Sequence, residues 1–224
     1  RDDLLEINAN IVQDVTEKLV KHSPNTIIIV VSNPLDVMAQ VALETSGLDS
    51  SRVMGMAGIL DTARYRSFLA EEIGVSPKDI QALLLGGHGD TMVPLPRFTT
   101  VCGMPIKQFI SDEKLDEIVE RTKGGGGELV NLMGTSAWYA PGAAAAQMVE
   151  AIVLDQNRVF PCAAHLNGEY GQEELFLGVP VKLGEGGIKE IIEVDLNDEE
   201  QQLLDESADH VHSVLSDFRE LMNQ

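Results

Sequence analysis

A short run of β-branched residues between two helical patterns is the feature that most restricts how this chain can fold. Residues 27–31 read Ile-Ile-Ile-Val-Val, a run that is too short for a helix and apolar on both faces. Such a run is typical of a strand inside a parallel sheet. The spacing of apolar residues predicts an amphipathic helix over 4–21, and a second helix after Pro34 that runs through Val37 and Val41 to Gly47. This alternation predicts βαβ units, and therefore an α/β unit over residues 1–57.

Residues 58–224 follow a different rhythm, in which helices mix with strands that read as antiparallel. The four glycines at 124–127 are expected to form a flexible connector between two helices, because they lead from helix to helix and are followed by Glu128. Asn197 is expected to cap a last helix whose apolar inner face includes Leu203 and Leu204. The expected helices are 60–73, 113–123, 128–154 and the one after Asn197, and the expected strands are 53–56, 80–85, 93–101, 159–166 and 175–183. The predicted fold is α/β: the C-terminal part of a doubly wound (Rossmann) parallel-sheet domain, followed by an α+β substrate-binding and catalytic domain.

The charge of the chain is strongly negative and limits its partners. The 224 residues include 36 acidic and 16 basic side chains, a formal net charge of −20. About half of this excess lies in residues 185–224, which contain twelve acids and two bases. Such a surface repels nucleic acid and anionic lipid, so neither is an expected partner. Solubility explains the acidic surface, and adaptation to high salt is the alternative explanation.

Nothing in the sequence suggests export or insertion into a membrane. The apolar runs are shorter than a transmembrane helix, and the first residues do not form a signal peptide. Cys102 and Cys162 are far apart and lack metal-ligand spacing, so both are expected to be buried, apolar thiols in a reducing compartment. The expected location is the cytoplasm.

A histidine between two glycines is the best candidate for chemistry. Residues 87–90 read Gly-His-Gly-Asp and follow an apolar run, and the flanking glycines favour a tight turn near a ligand over a place in the core. Asp61 and Arg64 stand together upstream. An imidazole that titrates near neutral pH, an acid that orients it and a guanidinium that grips a carboxylate form a proton-transfer apparatus for a small anion. Asp90 competes with Asp61 as the partner of His88.

Three segments in order resemble the lactate/malate dehydrogenase superfamily. They are residues 31–36 (VSNPLD), 61–66 (DTARYR) and 85–94 (LGGHGDTMVP), and the resemblance extends over the whole chain. It implies an NAD-dependent oxidoreductase that acts on 2-hydroxy acids by direct hydride transfer, without a metal. It is closest to the bacterial members that act on malate and oxaloacetate.

The resemblance also assigns roles to individual residues. It makes His88 the proton carrier with Asp61 as its partner, and it gives Arg64 the grip on the substrate's C1 carboxylate. Arg1 matches an arginine that polarises the reacting carbonyl, and Asn33 matches a substrate contact. The implied cofactor contacts are Asn8, Val31, Ser32 and Asn33.

Malate is the expected substrate and L-lactate the alternative. Residues 86–87 and 92–94 around the histidine, together with Ala137, resemble the members that use malate. A second alternative is a non-catalytic fragment or scaffold. A metal-dependent hydrolase around His88 would need further ligands, and no such cluster is formed by His22, His165, His210 and His212.

A glycine-rich dinucleotide motif is missing from the 224 residues. No Gly-x-Gly-x-x-Gly follows a strand, and no acid stands about twenty residues after one. Family members carry both in an N-terminal half, together with a loop that holds the substrate-specificity residue. We therefore expect that this half precedes Arg1 and that the residues given are part of a longer protein.

The resemblance and the apolar helices both suggest self-association. The helices at 4–19, 60–73 and 137–154 are more apolar than one packing face requires, which is typical of subunit contacts. Members of the family form dimers that assemble into tetramers, so a homotetramer is expected. The acidic C-terminal region should make this assembly weaker at low salt.

Overall fold

The computed structural model describes residues 2–222, which form six α-helices and ten strands. The helices are α1 (Asp2–His22), α2 (Leu35–Ser46), α3 (Gly58–Ile73), α4 (Asp112–Met133), α5 (Tyr139–Val153) and α6 (Asp198–Met222). The strands are β1 (Ile28–Val30), β2 (Val53–Gly55), β3 (Ile80–Gln81), β4 (Leu84–Leu85), β5 (Val93–Pro94), β6 (Thr100–Val101), β7 (Met104–Pro105), β8 (Arg158–Asn167), β9 (Glu173–Gly184) and β10 (Gly187–Ile191).

One mixed sheet contains strands from both the beginning and the end of the chain. Its order is β1-β2-β8-β9-β10, in which β1 and β2 are parallel and the other neighbours are antiparallel. β2 meets β8 at one residue pair, Gly55 and Ala163. A Cβ on Gly55 would lie 2.8 Å from the Ala163 Cβ, so a glycine is required for this close approach. The α/β fold predicted from the sequence, with parallel strands first and antiparallel strands later, is confirmed.

The β-branched run forms the predicted parallel strand, but this strand is shorter and more exposed than predicted. β1 covers three residues and pairs only with β2 within the described part of the chain. Ile28 and Ile29 are half-buried, and Val31, just beyond the strand, is 43 % exposed. The prediction of a strand covered on both faces fails because β1 lies at the edge of the described sheet.

Two of the predicted strands are divided in the structure. Over residues 80–85, β3 pairs with β6 whereas β4 pairs with β5, so adjacent residues belong to separate small sheets. Over residues 93–101, a 3-10 turn at Pro96–Phe98 separates β5 from β6. Proline lacks the N–H that a ladder bond requires, which explains the interruption.

The hairpin of β8 and β9 is confirmed, and β10 was not predicted. β8 and β9 pair from Arg158 and Leu183 to Asn167 and Glu173. β10 adds to the edge of β9 through residues 187–191, where a glycine and two charged residues interrupt the apolar pattern that marks a buried strand.

The four glycines at 124–127 lie inside α4, so the predicted connector is wrong. α4 continues to Met133 and ends at Gly134, whose φ of +73° belongs to the left-handed region. A glycine costs about 1 kcal/mol relative to alanine inside a helix. The helix persists because tertiary contacts hold the face that contains these buried residues: Leu115, Ile118, Thr122 and Gly125.

The apolar core divides into two clusters. The larger one surrounds the mixed sheet and includes side chains of α2, α5 and α6, such as Met38, Met148 and Leu204. The smaller one packs α3 against α4 and includes Tyr65 and Leu115. α3 contributes Ile59 to the larger cluster and Tyr65 to the smaller one, so the first turns of α3 lie where the two clusters meet.

The last helix begins with the predicted cap. Asn197 Oδ1 accepts a hydrogen bond from Glu200 N at 2.8 Å, and Glu200 Oε2 accepts one from Asn197 N at 3.0 Å. This reciprocal pair is a capping box. Leu203, predicted to face inward, is 45 % exposed because it borders a groove between α4 and α6.

The two cysteines differ in their surroundings. Cys162 is buried as predicted, whereas Cys102 is exposed, so the prediction for Cys102 is wrong. Cys102 has a φ of +48° in the tight turn that joins β6 to β7, and this turn places it at the surface. Within residues 2–222, none of the helices has the length and apolar character needed to cross a membrane.

Candidate active site

The loop that joins β4 to β5 places His88 at the edge of the core. Gly86 and Gly89 have φ values of +88° and +139°, which other residues rarely adopt. The glycines therefore allow the chain to turn sharply on both sides of the histidine. The His88 side chain is 18 % exposed, so it is largely buried and still reachable from solvent.

Asp61 is the carboxylate that contacts the imidazole. It lies in the first turn of α3 with its side chain 3 % exposed, and its Oδ2 is 2.7 Å from His88 Nδ1. Burial lowers the pKa of His88, but the hydrogen bond and the negative charge of Asp61 outweigh burial, so the pKa lies above its usual value. The competing partner, Asp90, is exposed and lines the groove between α4 and α6.

Arg64 is fixed beside this pair, one turn further along α3. Its Nη1 donates to Asp61 Oδ1 at 3.2 Å and to the backbone oxygen of Thr122 on α4 at 3.1 Å. The side chain is 15 % exposed. These two bonds hold the guanidinium next to the imidazole, which places a positive group where an anionic substrate could bind. Arg66 lies elsewhere and donates from Nη2 to the Pro77 oxygen.

Gly125 provides the space that the Arg64 side chain occupies. A Cβ at this position would lie 2.4 Å from Arg64 Cδ and 2.9 Å from its Nε. Gly124, Gly126 and Gly127 would each meet nothing within 4 Å. One of the four glycines is therefore required by the site. The sequence signal was the continuation of helical spacing through Thr122 to residue 125, which the interpretation as a connector overlooked.

The segment predicted to hold the cofactor is an exposed edge. Val31, Ser32 and Asn33 follow the carboxyl end of β1 and are all exposed. Asn8 on α1 donates from Nδ2 to the backbone oxygen of Asn33 at 2.8 Å. Ligands of open α/β sheets bind at the carboxyl ends of the strands, and this edge occupies such a position. Arg1, the remaining predicted site residue, lies outside the described residues.

Two residues that sequence reasoning did not select hold the His88 loop. Asp36 Oδ2 accepts a hydrogen bond from His88 N at 2.9 Å, and Ser207 Oγ accepts one from Gly87 N at 2.9 Å. A signal for Asp36 was present, because it is a charged residue between the apolar Leu35 and Val37. Ser207 is 120 positions from its partner and gave no comparable signal.

Among the described residues, no group of three or more His, Cys, Asp or Glu side chains could hold a metal ion. The arrangement at His88 is instead a buried acid–imidazole pair beside a fixed arginine. Chemically, it can take up or release one proton next to a bound carboxylate.

Comparison with known families identifies this arrangement. The family model described as the lactate/malate dehydrogenase NAD binding domain matches residues 1–55, and the model of the alpha/beta C-terminal domain of the same family matches residues 59–221. The chain belongs to the lactate/malate dehydrogenase family. The family predicted from the three sequence segments is thus confirmed.

Individual members of the lactate/malate dehydrogenase family agree closely with the chain. A malate dehydrogenase from Salinibacter ruber is 63 % identical over 224 residues, which are all of this chain and 71 % of that protein. A 1.55 Å structure of malate dehydrogenase from this organism superposes with a TM-score of 0.98 at 64 % identity, covering 100 % of this chain and 73 % of the other. A lactate dehydrogenase from Eimeria maxima, solved with NADH and oxamate, superposes with a TM-score of 0.95 at 41 % identity, covering 100 % of this chain and 71 % of the other.

Proposed function

We propose that this protein is an NAD-dependent malate dehydrogenase, which interconverts (S)-malate and oxaloacetate. The observation that carries the proposal is the buried pair of Asp61 and His88, 2.7 Å apart, with Arg64 fixed beside it. Membership of the lactate/malate dehydrogenase family and 63 % identity to a malate dehydrogenase support it.

His88 moves the proton in this reaction. When malate is oxidised, neutral His88 accepts the proton of the C2 hydroxyl while the hydride on C2 leaves to the cofactor. When oxaloacetate is reduced, protonated His88 returns a proton to the carbonyl oxygen as the hydride arrives at C2. Because Nδ1 is bound to Asp61, the proton is exchanged through Nε2. Asp61 stabilises the positive charge of the ring when His88 is protonated.

Arg64 binds the C1 carboxylate of the substrate. A guanidinium can donate two parallel hydrogen bonds to a carboxylate, and its contacts with Asp61 and Thr122 hold it in place before the substrate arrives. Arg1 polarises the reacting carbonyl, and Asn33 contributes a further polar contact to the substrate. Arg64, Arg1 and Asn33 are thus the residues that we assign to binding of the dicarboxylate.

NAD supplies the hydride acceptor in oxidation and the hydride donor in reduction. The residues that would hold its nicotinamide end are Asn8, Val31, Ser32 and Asn33. This edge fits such a group, because it combines an exposed apolar residue, Val31, with two exposed polar residues, Ser32 and Asn33. The bond from Asn8 to the Asn33 oxygen fixes the turn that carries these groups.

The division of labour follows the chain. Residues 1–57 contribute the cofactor side, and residues 58–224 contribute the catalytic and substrate side. The start of α3 lies at this boundary and carries Asp61 and Arg64. The catalytic residues of α3 therefore stand at the boundary between the cofactor side and the substrate side of the chain.

Oxaloacetate and pyruvate distinguish the malate proposal from its alternative. Gly86, Gly87 and Ala137 support malate, whereas the similarity to a lactate dehydrogenase keeps lactate as the second candidate. We expect kcat/KM for oxaloacetate to exceed that for pyruvate by about 1,000-fold, since a site built to bind a second charged group rejects substrates that lack it. A preference for pyruvate would identify a lactate dehydrogenase, and turnover of neither would leave a non-catalytic protein.

Exposed apolar side chains support assembly into a homotetramer. They lie on α1 and along the segment from the end of α4 to α5, and include Ile7, Ile11, Val15, Leu132, Trp138, Tyr139, Val149 and Val153. α3 does not contribute as expected, because its large apolar side chains are buried or half-buried. Light scattering from low to molar salt is expected to show a tetramer that weakens at low salt, because the like charges are then unscreened. A monomer at every salt concentration would refute this assembly.

The exposed, unpaired Cys102 supports a reducing compartment, and we place the protein in the cytoplasm. Fractionation of cells that express a tagged full-length protein would test this location.

A further inference from the structure

One carboxylate in the motif at residues 31–36 has no role in the mechanism above. Asp36 lies in the first turn of α2 between two buried apolar residues and is 6 % exposed. Its Oδ2 accepts the hydrogen bond from His88 N, and its Oδ1 has no hydrogen-bond partner among the described residues. A buried charge of this kind is costly and calls for an explanation.

We propose that Asp36 is a positioning residue for His88: it fixes the backbone of the histidine and favours the protonated imidazole through a second buried negative charge. This inference rests on the proposed role of His88 as the proton carrier.

The backbone around His88 is held at three successive amides. The N–H of Gly86 bonds to the Gly178 oxygen on β9, and the N–H of Gly87 bonds to Ser207 on α6. The N–H of His88 bonds to Asp36 on α2. Because three separate elements supply these acceptors, the loop cannot rotate without the loss of at least one buried hydrogen bond.

Positioning alone does not explain why the third acceptor is an aspartate. Ser207 holds Gly87 with a neutral oxygen, and an asparagine at position 36 could accept the His88 bond in the same way. A neutral side chain would avoid the cost of burying a charge. The carboxylate therefore points to an electrostatic role in addition to the mechanical one.

The charged groups that face the imidazole come from two helices. α3 contributes Asp61 and Arg64, and α2 contributes Asp36. Burial lowers the pKa of His88, the bond and charge of Asp61 and the charge of Asp36 raise it, and Arg64 lowers it. The elements that pack on the other sides of the loop contribute Ser207, Val211 and Gly178, none of which ionises.

The ionisation of Asp36 and that of His88 influence each other. Burial raises the pKa of Asp36 to about 6, although the His88 N–H and the charge of the ring act in the opposite direction. The pKa of His88 lies above its ordinary value of 6.5. Above a pH of about 6 the ionised form of Asp36 predominates, so its charge acts on the proton equilibrium of His88 there.

The direct test is an NMR titration of the His88 imidazole in the substrate-free protein, comparing Asp36→Asn with the parent. Asparagine keeps the acceptor for His88 N and removes the charge, so the pKa of His88 should fall. Glu44→Gln is the matched control, because it removes an exposed carboxylate from the other end of α2 and should leave the titration unchanged. An unchanged or raised His88 pKa in Asp36→Asn would overturn the proposal.

The pH dependence of turnover separates this effect from general damage. A lower His88 pKa should decrease kcat/KM for oxaloacetate about threefold at alkaline pH. It should increase kcat/KM for malate just below the His88 pKa, and this gain should shrink below about pH 6, where Asp36 is itself protonated. A purely structural lesion would lower both values at every pH. Equal losses in both directions would therefore contradict the proposal.

A reciprocal measurement does not require the Asp36 variant to fold. His88→Asn removes the positive charge that stabilises the ionised carboxyl, so the Asp36 pKa followed by carboxyl ¹³C shifts should rise. No change would overturn the inference. If these titrations behave as expected but His88→Asn still turns over malate, the proposed function fails while the coupling of Asp36 and His88 stands.

Discussion

The two sides of the candidate site differ in how firmly the chain holds them. On the proton-transfer side, the Asp61 side chain is 3 % exposed and bonds to His88 and Arg64, while the His88 loop is bound by α2 and α6. On the cofactor side, Val31, Ser32 and Asn33 are exposed, and Asn8 supplies one bond to the turn.

The difference shows that this chain holds its proton-transfer residues more rigidly than its cofactor edge. Proton transfer requires precise distances between donor and acceptor, which buried hydrogen bonds provide before any ligand binds. An exposed edge instead gains its order when a ligand covers it. Substitutions on the first side should therefore alter the chemistry or substrate binding, and those on the second side should alter mainly cofactor affinity.

The largest effect is expected for His88→Asn. Asparagine cannot exchange the proton, so kcat should fall about 1,000-fold or more in both directions, whereas NADH affinity measured by fluorescence should stay close to that of the parent. His212→Asn on the exposed face of α6 is the matched control and should have full activity. If His88→Asn retained more than a few per cent of the parent rate, His88 would not be the proton carrier.

Arg64→Lys should have the next largest effect. Lysine keeps the charge but cannot form the planar two-pronged contact, and it cannot reproduce the bonds to Asp61 and Thr122 in the same geometry. We expect KM for oxaloacetate to rise about 10- to 100-fold, with a smaller change in kcat, in steady-state assays. An unchanged KM would place the substrate carboxylate elsewhere.

Gly125→Ala compared with Gly126→Ala tests whether α4 sets the position of Arg64. The added methyl at 125 meets the Arg64 side chain, while the one at 126 meets open space. Gly125→Ala should raise KM for oxaloacetate about fivefold or more, because misplaced binding groups weaken the substrate complex. Gly126→Ala should leave KM unchanged and raise the free energy of unfolding by about 0.5–1 kcal/mol. Equal KM values would show that Arg64 does not depend on this contact.

Asn8→Ala should have the smallest effect. The variant loses one exposed hydrogen bond to the Asn33 oxygen, so we expect KM for NADH to rise about two- to fivefold with kcat nearly unchanged. A rise in KM for NADH as large as the rise in KM for oxaloacetate expected for Arg64→Lys would contradict the comparison. It would show that the cofactor edge is as preorganised as the catalytic side.

Local patterns predicted the fold where the residues themselves decide the structure. The cap at Asn197, the existence of the parallel strand β1 and the hairpin from 158 to 184 all follow from residue type and spacing. The failures occurred where distant contacts outweigh local preference. The glycines at 124–127 are poor helix formers, but packing of α4 against α3 keeps them helical.

The site shows the same division between local and distant information. Asp61, Arg64 and His88 could be selected because their residue types and the resemblance to a family pointed to them. Asp36 and Ser207 contact residues that are 52 and 120 positions away, and Gly125 on α4 contacts Arg64 on α3. No local sequence pattern indicates these partners. Only the three-dimensional arrangement shows that they support the catalytic side.

The pH dependence of kcat/KM, measured for both directions in the same enzyme, tests the central claim most directly. Reduction of oxaloacetate requires protonated His88 and oxidation of malate requires the neutral ring, so the two profiles should change in opposite directions at one shared pKa. That pKa should lie above 6.5, because Asp61 stabilises the protonated ring, and it should fall in Asp61→Asn. Profiles that change in the same direction, or a shared pKa that does not move in Asp61→Asn, would contradict the account.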